Sequence, residues 1–180
     1  MDLTERQIKR EEIYDGKVLH VVKDTVLLPD GKESIREFCL HVGAVAVLPL
    51  TDDGRVAMVR QYRYAHGRVF LEVPAGKLDY KEEIPLEAAK RELREETGAV
   101  AENFTYLGVL DTTPALLDEK IHLYLAEGLK FGNTDFDEDE FLECELIPLT
   151  KLVDMVMSGE IRDGKTQILI LKAAKIKGML

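Results

Sequence analysis

Residues 76–99 of the chain read GKLDYKEEIPLEAAKRELREETGA, and this stretch decides how the rest of the sequence is interpreted. Its second half predicts a helix that begins near Pro85, a residue suited to the first helical turn. The helix is expected to end at Gly98, because glycine readily forms the left-handed cap. At 100° per residue one face of this helix is apolar, with Leu86, Ala89 and Leu93 in one stripe. We expect this stripe to pack against a core.

Three carboxylates, those of Glu92, Glu95 and Glu96, fall together beside the apolar stripe. Like charges three or four residues apart repel, and the helix dipole disfavours negative charge in the last turn. A divalent cation would turn these carboxylates into ligands, and an all-oxygen site suits Mg²⁺, with Mn²⁺ as a substitute. The alternative is a solvated acidic face, which is the usual reason for a run of charges.

The spacing of this stretch resembles the signature of the Nudix hydrolases. The helical half matches at every fixed position, which are Arg91, Glu92, Leu93, Glu95, Glu96, Gly98 and Ala99. The loop after Gly76 is one residue longer than the signature, so that either Glu82 or Glu83 takes the place of its loop glutamate. The resemblance implies a metal site formed by Glu92, Glu96 and Glu95 with the backbone carbonyl of Ala75. It also implies that Gly76, Arg91 and Gly98 are structural, Arg91 by orienting a carboxylate.

The composition limits the classes of fold, partner and location that the chain can have. A chain of 180 residues that is 46% hydrophobic is enough for one α+β domain with a small appended part. The formal net charge of −10, without a cluster of lysine or arginine, argues against a nucleic-acid partner. The longest apolar runs, such as residues 43–50, are far shorter than the roughly 20 residues of a membrane span. Two cysteines without CxxC spacing, Cys39 and Cys144, predict buried thiols in a cytoplasmic protein.

Periodicity and turn residues predict the order of the elements. Residues 1–12 are charged and are interpreted as a frayed arm, and residues 29–32 (PDGK) as the turn of a hairpin. Strands are predicted over 18–28, 33–41, 43–50, 55–62, 68–73, 104–110, 120–126 and 141–149, and further helices over 151–158 and 165–177. This order favours an α/β/α sandwich, a mixed sheet between helices, preceded by antiparallel strands. We expect an N-terminal strand segment at 1–42 and a Nudix hydrolase domain at 43–180.

The run RQYRYAHGRVFLEVPAGKL at residues 60–78 resembles the ADP-ribose pyrophosphatase branch of the family. The resemblance implies that Arg63 lies near the substrate's diphosphate and that Glu72 is a pocket residue, with Arg60 as a further cation. Pro114, sixteen residues beyond Gly98, is similar to the proline of the ADP-ribose subclass, although Ala115 replaces the glycine that usually follows it. In this branch the N-terminal strands form a homodimer and contribute to the partner's pocket.

A glutamate in the acidic loop FGNTDFDEDE at residues 131–140 activates water or completes the metal site in the enzymes that this chain resembles. Glu140 is the first candidate for this role and Glu138 the second. The resemblance implies Mg²⁺-dependent hydrolysis of ADP-ribose to AMP and ribose 5-phosphate. GDP-mannose or another nucleotide sugar is the alternative substrate, and a non-hydrolysing nucleotide sensor on the same fold is the alternative function.

Overall fold

The computed structural model describes residues 2–134 and 141–180 of the chain. The chain divides into two compact units. The first contains the residues up to Val42 together with Asp111–Lys120, and the second contains Gly43–Leu110 and Ile121–Leu180. The candidate metal-binding helix lies in the second unit.

The first unit is built on an antiparallel sheet of three strands, β1 (Arg6–Asp15), β2 (His20–Leu27) and β3 (Glu33–Leu40). The predicted hairpin between β2 and β3 is confirmed, and Gly31 supplies its positive φ of 83°. Residues 111–120 run beside the end of β3, where Asp118 accepts a hydrogen bond from the backbone N–H of His41 at 2.6 Å.

The interpretation of residues 1–12 as frayed is wrong from Arg6 onward, because β1 pairs with β2 along its length. This strand lacks apolar alternation, which is why its sequence did not predict a strand. Charge pairs across the two strands take the place of that alternation. Arg10 bonds to the buried Asp24 at 2.7 and 2.8 Å, and Glu11 pairs with Lys23 at 3.0 Å.

The second unit contains two sheets in the described residues, with strand orders β7-β4-β9-β8 and β10-β5-β6. The first of these is mixed, since β4 runs parallel to β9 and antiparallel to β7. Its strands are β4 (Ala44–Pro49), β7 (Ala75–Lys77), β8 (Ala99–Asp111) and β9 (Lys120–Phe131). The second sheet contains β5 (Arg55–Arg63), β6 (Arg68–Glu72) and β10 (Leu142–Pro148). The helices are α1 (Pro85–Thr97), α2 (Leu149–Met157) and α3 (Gly164–Ile176).

Strand β4 has helices on both of its faces. Ala46 and Leu48 point into a core that includes Leu152 of α2 and Leu169 of α3. The intervening Val45 and Val47 join Ala89 and Leu93 of α1 in a second core. Every residue of β4 is buried, as its continuous apolar run predicts. The predicted α/β/α sandwich is confirmed.

The predicted elements occur in the predicted order, but strands β1 and β7 were not predicted. Strands β8 and β9 extend several residues beyond the predicted segments. The prediction of two buried thiols is wrong for Cys144, which lies on β10 and is exposed. Cys39 is half-buried. In the described ranges no helix combines the length and apolar composition that crossing a membrane would need.

Candidate active site

Helix α1 positions the predicted carboxylates. It begins with Pro85 at its first turn and ends at Gly98, whose φ is 69° and whose N–H donates to the Arg94 carbonyl at 2.8 Å. Of the predicted apolar stripe, Ala89 and Leu93 are fully buried and Leu86 is half-buried against the same core, so this face of the helix packs onto the sheet.

Packing of this stripe takes two neighbouring carboxylates out of water. Glu92 is 9% exposed and Glu96 is 4% exposed, whereas Glu95 is half-buried. Charged carboxylates are buried only where other groups satisfy them. A solvated acidic face is therefore not the explanation for Glu92 and Glu96.

Gly76 makes room for the Glu92 carboxylate. Strand β7 pairs with β4 through Val45 and Gly76, which places Gly76 directly against α1. A Cβ atom added at Gly76 would overlap the Cδ and both carboxylate oxygens of Glu92. The glycine of the signature is needed here for this close approach, since its backbone does not have a positive φ.

The backbone of the same strand holds Glu96. The N–H of Ala75 donates to Glu96 Oε2 at 3.2 Å. Ala75, the residue whose carbonyl is implied as a metal ligand, thus lies beside one of the two buried carboxylates. The contact is made by the Ala75 N–H, and the role of the Ala75 carbonyl as a metal ligand stays a prediction.

Arg91 connects the helix carboxylates to the loop. Its Nη1 donates to Glu92 Oε1 at 2.7 Å and to Glu95 Oε2 at 3.4 Å, and its Nη2 donates to the Lys77 carbonyl at 3.2 Å. Burial lowers the pKa of Arg91, but the nearby negative charges, led by that of Glu92, raise it above its ordinary value. These contacts orient Glu92, as the resemblance implies for Arg91.

The structure distinguishes the two loop glutamates. Glu83 is half-buried, lies 3.7 Å from Arg91 Nη2, and accepts a hydrogen bond from the Asp79 N–H at 2.6 Å. Glu82 is exposed. Glu83 is therefore the loop glutamate that belongs to the cluster around Arg91.

The donor atoms of this cluster suit a hard divalent cation, because all of them are oxygens. Buried Glu92 and Glu96 and the backbone at Ala75 lie within one small region of the second unit. Among residues 2–134 and 141–180 no three acidic, histidine or cysteine side chains are arranged to hold a metal ion. Hydrogen bonds from Arg91 direct Glu92 and Glu95 in this arrangement. The carboxylate and carbonyl oxygens of these residues are the kind of ligand that such an ion takes. The two candidates for water activation, Glu138 and Glu140, lie outside the described residues.

A second group of charges forms around Glu72, which is 2% exposed at the end of β6. Arg63 of β5 donates to it through Nε at 2.8 Å and through Nη2 at 2.7 Å. Lys165, in the first turn of α3, donates to the same carboxylate at 2.5 Å. Burial raises the pKa of Glu72, but the hydrogen bond from Arg63 and the charge of Lys165 outweigh this effect and bring the pKa below its ordinary value. The structure thus pairs the buried, ionised Glu72 with the partly exposed Arg63.

Arg60 and Pro114 are not part of either group. Arg60 lies on β5 and forms an ion pair with Glu145 of β10 at 2.5 Å. Pro114 occupies an exposed turn in residues 111–120, which belong to the first unit.

Sequence reasoning missed Lys165. The segment Asp163-Gly164-Lys165-Thr166 carries a helix-start signal, since Asp163 caps α3 by accepting from the Thr166 N–H at 3.0 Å. Nothing in that signal connects Lys165 with a glutamate that lies 93 positions earlier in the chain.

Comparison with known proteins agrees with this geometry. Residues 40–172 match the NUDIX domain family, and residues 5–38 match the nucleoside diphosphate sugar hydrolase N-terminal domain. The chain is 43% identical to a protein named ADP-ribose pyrophosphatase from Bacillus subtilis (strain 168), over 96% of each chain. It is 41% identical to a protein named methanol dehydrogenase activator from Bacillus methanolicus, over 92% of this chain and 90% of that one.

Two further comparisons concern substrate and fold. A protein named GDP-mannose pyrophosphatase from Yersinia enterocolitica is 34% identical, over 77% of this chain and 75% of that one. A crystal structure described as ADP compounds hydrolase superposes with a TM-score of 0.84 over the full length of both chains at 22% identity, which shows the same fold. The NUDIX match covers most of the chain and includes the helix, the glycine loop and the buried carboxylates described above. The chain therefore belongs to the Nudix hydrolase family.

Proposed function

We propose that the chain hydrolyses the diphosphate bond of ADP-ribose, with water as the second substrate and AMP and ribose 5-phosphate as products. The observation that carries the hydrolytic reaction is the burial of Glu92 and Glu96 against the glycine loop at Gly76. The choice of ADP-ribose is supported by the Bacillus subtilis relative and by the extent of the similarity.

Glu92 and Glu96, with Glu95 and the backbone carbonyl of Ala75, would hold the divalent metal ion that members of this family need, and Mg²⁺ is the ion that an all-oxygen set favours. When bound, such an ion neutralises charge on the diphosphate and lowers the pKa of water. Arg91 orients Glu92 through its 2.7 Å hydrogen bond. Glu140 or Glu138 would accept the proton of the attacking water.

Arg63 is the cation that we assign to the diphosphate, with Glu72 fixing its orientation. Because Nε and Nη2 of Arg63 both face Glu72, its Nη1 edge points away from that carboxylate. Arg60, which pairs with Glu145, is a further cation of the same sheet, and these three residues make up the substrate-binding set that we propose in the second unit. Pro114 lies in the first unit, and its part in an ADP-ribose enzyme stays what the resemblance implies.

The test compares Glu92→Gln and Glu96→Gln with the wild type in the hydrolysis of ADP-ribose in the presence of Mg²⁺. We expect each substitution to lower kcat at least about a hundredfold while thermal unfolding stays close to that of the wild type. Glu87→Gln is the matched control, since Glu87 lies on the same helix, is exposed, and pairs with Lys90 only at the surface. Near-normal turnover of both variants would refute the assignment.

Two other functions have an observation in their favour. The Yersinia relative favours GDP-mannose as the substrate, and the Bacillus methanolicus relative, which is named an activator, favours a regulator. Product analysis with ADP-ribose, GDP-mannose, NADH, diadenosine polyphosphates and nucleoside triphosphates separates them. Fastest release of AMP from ADP-ribose, abolished by a chelator, supports our proposal. Binding without turnover of any compound would favour the regulator.

We also infer that the chain acts as a homodimer through its N-terminal strands. Exposed apolar side chains on these strands and their connections support this inference, namely Ile8, Ile13, Tyr14, Val18, Leu19 and Ile35. Cys39 and Cys144 are free thiols, which supports a cytoplasmic location.

A further inference from the structure

The buried Glu72 carboxylate is shared by two cations from different parts of the second unit. Arg63 reaches it from β5 and is 40% exposed, whereas Lys165 reaches it from α3 and is 12% exposed. The more exposed cation is the one that we assign to the substrate, and the following inference rests on that proposed function.

Arg63 carries one positive charge, and its Nε and Nη2 are both bonded to Glu72. The Nη1 edge that faces away from Glu72 is the part that an anionic ligand would meet. A diphosphate bound there would share the charge of Arg63 with Glu72. Without a second cation, the buried carboxylate would lose part of its compensation, which opposes binding.

Lys165 is fixed where it can prevent this. Its Nζ lies 2.5 Å from Glu72 and 3.0 Å from Asp163, the residue that caps α3. The hydroxyl of the next residue, Thr166, accepts a hydrogen bond from the Val73 N–H at 3.0 Å. This hydrogen bond joins the start of α3 to Val73, the residue that follows Glu72 at the end of β6.

We propose that Lys165 is a positioning residue for substrate binding, which holds Glu72 in place and compensates its charge so that Arg63 can offer its Nη1 edge to the diphosphate of a nucleoside diphosphate sugar. Lys165 acts through Glu72 and Arg63 and does not touch the reacting atoms. Its effect is expected on substrate affinity more than on the chemical step.

The first experiment measures KM and kcat for ADP-ribose in the wild type, Lys165→Met and Lys165→Arg. We expect Lys165→Met to raise KM about tenfold or more, with kcat changed less than about threefold, because Glu72 is then compensated by Arg63 alone and competes with the diphosphate for the charge of Arg63. Lys165→Arg keeps the charge and should restore most of the affinity. The control is Lys175→Met, a change of an exposed lysine on the same helix. An unchanged KM in Lys165→Met overturns the proposal.

A double-mutant cycle with Arg63→Lys tests whether Lys165 influences substrate binding through Arg63. If Lys165 acts through Arg63, adding Lys165→Met to Arg63→Lys raises KM by much less than it does in the wild type. An equal increase of KM in the wild type and in Arg63→Lys would mean that Lys165 acts independently of Arg63, and would overturn the proposal. Lys165→Gln replaces the methionine variant in both experiments if thermal unfolding shows that the latter is not folded.

Failure of the proposed function gives a different result from failure of this inference. If the wild type does not hydrolyse ADP-ribose, the proposed function is wrong, and the same variants are compared by calorimetric binding of ADP-ribose. Weaker binding by Lys165→Met, restored by Lys165→Arg, supports the positioning role without turnover. Equal binding by all variants, or no binding by the wild type, overturns it.

Discussion

At the scale of the residue, the site depends on the missing side chain of Gly76. The Glu92 carboxylate occupies the space that a Cβ atom at residue 76 would take. Arg91 then fixes the orientation of Glu92 at 2.7 Å. Gly76, on strand β7, therefore leaves the space for the Glu92 carboxylate, and Arg91, on the same helix as Glu92, directs that carboxylate.

We predict that Gly76→Ala lowers kcat for ADP-ribose by at least about tenfold, because the new methyl group displaces Glu92 from the position required for metal binding. Steady-state kinetics over a range of Mg²⁺ concentrations should show a higher metal requirement. The control is Gly164→Ala, since a Cβ atom at that position meets nothing within 4 Å. Equal activity of the two variants would contradict the prediction.

At the scale of the element, α1 ends at Gly98, a position that needs glycine for two separate reasons. The φ of Gly98 is 69°, in the left-handed region, and a Cβ atom there would lie 2.5 Å from the Gly132 carbonyl oxygen. The Gly132 N–H in turn donates to the Gly98 carbonyl at 2.7 Å. The end of the helix is thus joined to the chain that follows β9.

Gly98→Ala is expected to reduce the free energy of unfolding by more than the roughly 1–2 kcal/mol that the left-handed conformation costs a residue with a side chain. Gly159→Ala serves as the comparison, because Gly159 has a similar φ of 78° with nothing within 4 Å of the added Cβ. The difference between the two variants in urea unfolding measures the clash with Gly132. If both lose the same stability, the contact with Gly132 is unimportant.

At the scale of the whole molecule, the N-terminal unit leaves apolar side chains in water. Ile8 and Ile13 of β1 fall at the two register shifts against β2, and both are exposed. Isolated exposed residues are common, but several on one small sheet favour an interface. We therefore place the subunit contact there.

Sedimentation of the wild type should give the mass of two 20.3-kDa chains, and Ile13→Lys should shift it toward one chain because a charge is buried poorly at an apolar interface. Met157→Lys is the control, an exposed apolar residue of the second unit. A wild type that sediments as a single chain would refute the homodimer. A dimer that is unaffected by Ile13→Lys together with matching charge substitutions at Ile8 and Ile35 would refute the placement of the contact on the N-terminal strands.

The sequence by itself determined the elements whose signals are local. The bounds of α1 followed from Pro85 and Gly98, and the burial of β4 followed from its continuous apolar run. It also determined the family, because the motif from Arg91 to Gly98 is a matter of spacing along one helix. The charged strand β1 escaped prediction because its stabilising partners lie on β2.

Only the tertiary structure decided which groups meet across distant parts of the chain. It brought Glu83 rather than Glu82 to Arg91, placed Glu92 under Gly76, and joined Lys165 to Glu72 across 93 positions. The physical reason is that hydrogen bonds and ion pairs depend on distances of a few ångströms, which are set by the packing of helices and strands rather than by separation in sequence.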